Sequence, residues 1–114
     1  MNLSYPTLSD DRYRVRVRSH VFEHSGGESF THADRTKLYA VIEGRPLFSF
    51  LPWSMARPWF YEAELTGDAH ADEKAVNSAM ERIAARFEGE KQEKERRHAA
   101  ARSKGRILAE MRRL

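Results

Sequence analysis

Residues 12–18 read Arg-Tyr-Arg-Val-Arg-Val-Arg, and the alternation runs on through Ser19-His20-Val21-Phe22-Glu23-His24. Tyr13, Val15, Val17 and Val21 fall on one face; Arg12, Arg14, Arg16, Arg18, His20 and Phe22 fall on the other. Period-two alternation with β-branched residues is the signature of a half-buried strand. The pattern predicts one extended strand over 12–24, with an apolar face to cover and a cationic face to pair or to solvate.

Downstream, Gly26-Gly27 and the polar run to Thr36 read as a long connection. Lys37 to Glu43 (KLYAVIE) is apolar on both faces, as a central strand is. Gly44-Arg45-Pro46 reads as a tight turn, and Leu47 to Leu51 (LFSFL) as a third strand pairing back. Pro52 to Pro58 forms a proline-bounded loop carrying Trp53, Met55 and Arg57. Trp59 to Leu65 alternates again, with Trp59, Tyr61, Ala63 and Leu65 on one side. The sum is an antiparallel sheet of about four strands, a meander.

A helix follows, with Asp68 or Asp72 as its cap. Val76, Met80, Ile83 and Phe87 recur at helical spacing beside Ala79 and Ala84, and that stripe is the part able to cover a sheet face. From Glu88 to Gly105 no apolar residue is larger than alanine. Glu90→Lys94 and Glu93→Arg97 have the favourable i,i+4 order, worth ~0.2–0.5 kcal/mol each, so a solvated helical extension is expected. Gly105 is expected to break it before a short amphipathic end, Ile107, Leu108, Met111 and Leu114. The fold class is therefore α+β: residues 1–88 a compact domain, residues 89–114 a charged helical extension.

Bulk composition agrees. Of the 12 aromatic residues, all but Phe87 lie between Tyr5 and Tyr61. A chain of 114 residues makes one domain with a modest core. The absence of cysteine excludes disulfides and thiolate metal sites and fits a reducing compartment. Met1 to Ser9 carries neither a basic nor an apolar leader region, and no apolar stretch approaches the ~20 residues of a membrane span. A cytoplasmic protein without membrane contact is expected.

The charge is placed unevenly. Residues 1–66 balance 8 basic against 8 acidic side chains, residues 67–95 carry 5 against 8, and residues 96–114 carry 7 against 1. The last group holds Arg96, Arg97, Arg102, Lys104, Arg106, Arg112 and Arg113. Two basic surfaces, this helix end and Arg12–Arg18, could each meet a polyanion. On the strand, arginines every ~6.6 Å could track phosphates, with Phe22 and neighbouring aromatics as stacking platforms. The competing reading is a charged edge strand whose guanidiniums pair with Glu62 and Glu64. For the helix end the competing reading is favourable cation placement against the helix macrodipole.

The remaining chemistry is thin. His20, His24 and His32 crowd one segment with Glu23, Glu28 and Asp34, but His20 and His24 in one strand sit ~13 Å apart, too far for a single ion. There is no nucleophile elbow and no phosphate loop. No catalytic residue, metal site or cofactor is expected. Trp53, Met55 and Arg57 are of the types enriched in binding hot spots, though tryptophan more often closes a small core. Ile107, Leu108 and Met111 need a cover: the domain itself, a second copy in a homodimer, or another protein.

The sequence thus favours a small non-enzymatic accessory protein that binds a nucleic acid or nucleoprotein assembly. Its basic surfaces would be Arg12, Arg14, Arg16 and Arg18 on the strand, with Arg96, Arg97, Arg102, Lys104 and Arg106 on the helix. The alternative is a protein–protein inhibitor or adaptor of phage or mobile-element type, anti-CRISPR or anti-restriction-like, acting on a nucleoprotein machine through Trp53, Met55, Arg57, Ile107, Leu108 and Met111. A second alternative is a metal-dependent enzyme using His20, His24 and His32.

Overall fold

The computed structural model describes residues 2–113. Six strands precede one helix: β1 (Tyr13–Arg18), β2 (His20–Ser25), β3 (Glu28–Ala33), β4 (Lys37–Gly44), β5 (Ser54–Met55), β6 (Tyr61–Glu64) and α1 (Ala69–Arg112). β4 is the centre. It pairs antiparallel with β1 along one edge, and its other edge is shared between β6, opposite Lys37–Ala40, and β5, opposite Glu43–Gly44. β2 and β3 form a separate two-stranded hairpin. The architecture is α+β, antiparallel sheets followed by one long helix packed on the main sheet.

Sheet register explains the two-sided burial of β4. Val15↔Ile42, Val17↔Ala40 and Leu38↔Ala63 place their side chains toward α1. There they meet Val76, Met80, Ile83 and Phe87, each at most 3% exposed. Full burial of such side chains contributes ~1.5–3 kcal/mol each, which makes this stripe the main attachment of helix to sheet. The opposite face of β4 carries Tyr39, Val41 and Glu43, also buried, under Val21, Met55 and Phe60. A segment before β1 closes one side: Leu3 and Leu8 join the helix-side core, and the Ser4 amide donates to Asn77 Oδ1 at 3.0 Å.

The helix start is built as expected. Asp68 caps it, accepting from the His70 amide at 3.2 Å. Asp72, buried one turn in, accepts from the Thr66 amide at 2.6 Å, the Thr66 hydroxyl at 2.9 Å and the Gly67 amide at 3.1 Å, tying β6 to α1 through a turn in which Gly67 has φ 90°. The Thr66 amide above all holds the Asp72 carboxyl below its ordinary value.

Six sequence expectations need correction. The strand over 12–24 is broken at Ser19, and the break moves Val21 to the face of β4 opposite Val15 and Val17, since a one-residue shift inverts every later side chain. The connection over 26–36 is mostly strand: Gly26 and Gly27, at φ 60° and 80°, make the two-residue turn that a tight hairpin requires, and β3 returns along β2. Leu47–Leu51 is a loop. The Arg45 amide donates to the Arg12 carbonyl at 2.8 Å, so the chain runs on beside β1 instead of reversing at Gly44–Pro46, and it turns only at Phe48–Leu51. β6 and β5 take the edge that LFSFL would have needed, so the simple meander fails. Gly105 does not break the helix, which continues to Arg112; the glycine costs about 1 kcal/mol against alanine, and the surrounding Ala, Arg, Lys and Leu are good helix formers.

Candidate functional site

The arginines of β1 lie on the sheet face opposite α1, as their alternation requires, but they are already engaged. Arg14 Nε donates to Glu43 Oε1 at 2.9 Å, and Arg18 Nε donates to Glu43 Oε2 at 2.9 Å. Glu43 is only 6% exposed, so one buried carboxylate is shared by two guanidiniums. Arg14 also stacks over the Trp53 ring at 4.1 Å, and Arg16 over the Tyr5 ring at 4.5 Å. Arg12 is bound to Asp10 through Nε at 3.0 Å and Nη2 at 2.8 Å, and that side-chain hydrogen bond pushes the Asp10 carboxyl down to about 2. The expected pairing with Glu62 and Glu64 does not form, because β6 occupies the edge of β4 away from β1. Glu62 accepts instead from Lys37 Nζ at 3.2 Å, which raises the lysine above its ordinary value. The residue that sequence reasoning missed is Glu43; its position directly opposite Arg14 follows only from the register.

The histidines do not converge. In the β2–β3 register His20 and His24 share one face of the hairpin, while His32 lies on the other and bonds Glu23 at 2.9 Å. His24 Nδ1 is 2.8 Å from the Ser29 hydroxyl. Among the described residues no group of three or more His, Asp or Glu could hold a metal ion. The proposed His20/His24/His32 metal site therefore has no geometry to support it.

The residues nominated between Pro52 and Pro58 turn inward. Met55 packs on Val21, Tyr39 and Val41. Trp53 is half-buried under Arg14, with Arg45 5.8 Å from the ring. Arg57 lies over the paired Tyr13 and Phe87 rings, at 5.6 and 5.5 Å. In this region the exposed apolar residues are the preceding ones: Leu47 is 96% exposed, Phe48 58%, Phe50 81% and Leu51 42%, while Phe22 and Phe30 are exposed separately on the β2–β3 hairpin. Phe48 and Phe50 stack on each other at 5.5 Å, with an interplanar angle of 15°. This loop is anchored at one end by the Arg45 amide and at the other by β5. Its bracketing by Pro46 and Pro52, which interrupt strand hydrogen bonding, was the available signal.

Beyond Lys91 the helix leaves the sheet, and from Lys94 to Arg113 every described residue is exposed. α1 spans 44 residues, about 66 Å at helical rise. Arg96 and Arg97 both pair with Glu93, at 2.7 and 3.4 Å. Arg102, Lys104 and Arg106 make no ion pair among the described residues. Ile107, Leu108 and Met111 are 56%, 44% and 62% exposed, so they do not fold back onto the domain; Leu114 lies outside the described residues. No described helix is long and apolar enough to cross a membrane.

Where α1 departs, it leaves a groove of about 1010 Å³ between Asp10–Tyr13, Arg57 and helix residues Phe87–His98. A shallower hollow of about 490 Å³ at Gly44–Leu47 shares Arg12 and Tyr13 with it. The apolar loop, the groove and the emerging helix thus adjoin one another. Comparison with protein-family models, curated proteins and solved structures finds no match to this chain.

Proposed function

We propose that this protein is a non-enzymatic binding module whose principal contact is a protein surface docked on the loop Leu47–Leu51. One observation carries the reading: four large apolar side chains, 42–96% exposed, project from a loop held at both ends. Exposing them costs solvation that burial in a partner would recover, and contiguous exposed apolar surface on a folded domain marks an interaction site. Stacked phenylalanines offer large area for little side-chain entropy, as hot-spot residues do. Trp53, two residues beyond the loop, is held by Arg14 at 4.1 Å and Arg45 at 5.8 Å from its ring.

A second contact, with a polyanion, is favoured by a separate observation. Arg102, Lys104 and Arg106 are exposed and unpaired among the described residues, so their charge is free for phosphates. The arginines of residues 12–18 are poorer candidates, since Glu43, Asp10 and Tyr5 already take their guanidiniums. A nucleoprotein target, met through protein by the loop and through phosphate by the helix, would use both surfaces. The test is a pull-down from the native host, with and without nuclease, comparing wild type with Phe48→Ser/Phe50→Ser and with Arg102→Gln/Lys104→Gln/Arg106→Gln. A partner that survives nuclease and is lost only with the loop variant supports the reading; partners lost only with nuclease or the helix variant refute it.

A further inference from the structure

Arg57 Nε is buried and has no hydrogen-bond partner, the one side-chain polar atom so placed among the described residues. The guanidinium is always charged, and leaving its N–H groups unsatisfied away from water is costly. The Tyr13 and Phe87 rings, 5.1 Å apart, fix it at the sheet's end and supply only cation–π attraction. The guanidinium lines the groove left by the departing helix, together with Arg12, Lys91, Lys94, Arg97 and His98.

Most of the groove's carboxylates are already paired, two of them with the groove's own Arg12 and Arg97. Asp10 is bound to Arg12, Glu93 to Arg96 and Arg97, and Glu90 lies 4.0 Å from Arg86. Lys91 Nζ donates to the Ser9 hydroxyl at 2.9 Å. Arg57 and Lys94 have no counter-charge among the described residues, and Glu95 is the lining carboxylate without an ion pair. Cations therefore line the groove from two elements, the loop with Arg57 and the helix with Lys94, and a phosphate has enough acceptor oxygens to meet both.

We propose that this groove is a phosphate-binding site centred on Arg57, with Lys94 as its second cation. The phosphate would be free, terminal, or part of a nucleic-acid backbone. The site goes beyond the loop's role and does not depend on it.

The experiment is calorimetric titration of the full chain with inorganic phosphate at constant ionic strength. Two further arms use one single-stranded oligonucleotide with and without a 5′-phosphate. Wild type should bind phosphate saturably at one site per chain. Arg57→Gln and Lys94→Gln should each weaken Kd at least tenfold, and Glu95→Gln should tighten it. Lys94 is exposed on the helix, so its variant decides the matter if Arg57→Gln fails to fold. Competition by the unphosphorylated oligonucleotide assigns the site to backbone phosphate; competition only by the 5′-phosphorylated one assigns it to terminal or free phosphate. Phe50→Ser should leave phosphate binding unchanged, which separates this result from the loop's. No saturable binding by wild type, or an unchanged Kd in both cation variants, overturns the proposal.

Discussion

Replacing Glu43 by glutamine tests whether the arginines of β1 are held by structure or displayed for a ligand. The carboxylate is 6% exposed and accepts from Arg14 Nε and Arg18 Nε, both at 2.9 Å. Glutamine keeps the shape, removes the charge, and leaves two guanidiniums against a nearly buried amide. Removing one partner of a fully buried ion pair costs about 3–5 kcal/mol. Here the arginine side chains are 34% and 28% exposed, so water screens part of that loss. A destabilisation of about 2–3 kcal/mol is expected once exposure is discounted. Urea unfolding followed by tryptophan fluorescence reads it directly, since Trp53 sits on Arg14. A double-mutant cycle with Arg14→Gln should show coupling of at least about 1 kcal/mol. The unpaired arginines should also strengthen binding to a polyanion at low salt. A change within about 0.5 kcal/mol, the range of an ordinary surface substitution, would refute the buried clamp.

Phe87→Ala should cost about 3–5 kcal/mol, because the ring is 3% exposed against Tyr13 at the end of the helix–sheet core; a melt indistinguishable from wild type would contradict that packing. Truncation after Lys94 removes only exposed residues and should leave the unfolding midpoint of the remainder nearly unchanged by circular dichroism. The Ser9 amide holds the Glu88 carboxyl below its ordinary 4.5, and the Thr66 amide holds the Asp72 carboxyl below 3.8. A lowered folded-state pKa stabilises above the unfolded value and is lost as pH falls through the folded one, so the melting temperature should drop below about pH 4. That drop should be smaller in Asp72→Asn/Glu88→Gln. Phe50→Ala should leave stability within about 0.5 kcal/mol yet weaken a captured protein partner roughly 30-fold, the effect of a hot spot of about 2 kcal/mol.

Periodicity carried the parts of the fold that depend on it. The Val76–Phe87 stripe, the two-sided burial of β4 and the cationic face of β1 follow from spacing alone, because a buried face must recur with the backbone's own period. What spacing does not encode is pairing. Ser19 is an ordinary residue whose bend only appears when β2 leaves the main sheet for β3. LFSFL has the composition of a strand but finds no partner, since β6 and β5 hold the other edge of β4. The candidate site suffered most from this. The loop Leu47–Leu51, strand-like in composition, exposes Phe48 and Phe50, whereas Met55, a hot-spot residue type, faces the core. Glu43 and the unpartnered Nε of Arg57 are tertiary facts without a local signature.

The most direct test of the central claim is site-specific photo-crosslinking in cells of the native host, with the crosslinker at Phe50 and, separately, at Lys104. A discrete protein adduct from position 50, insensitive to nuclease and abolished by Leu47→Ser/Phe48→Ser, is the predicted result. Absence of any protein adduct at position 50, with adducts or nucleic acid captured only at position 104, would contradict the loop as the principal contact.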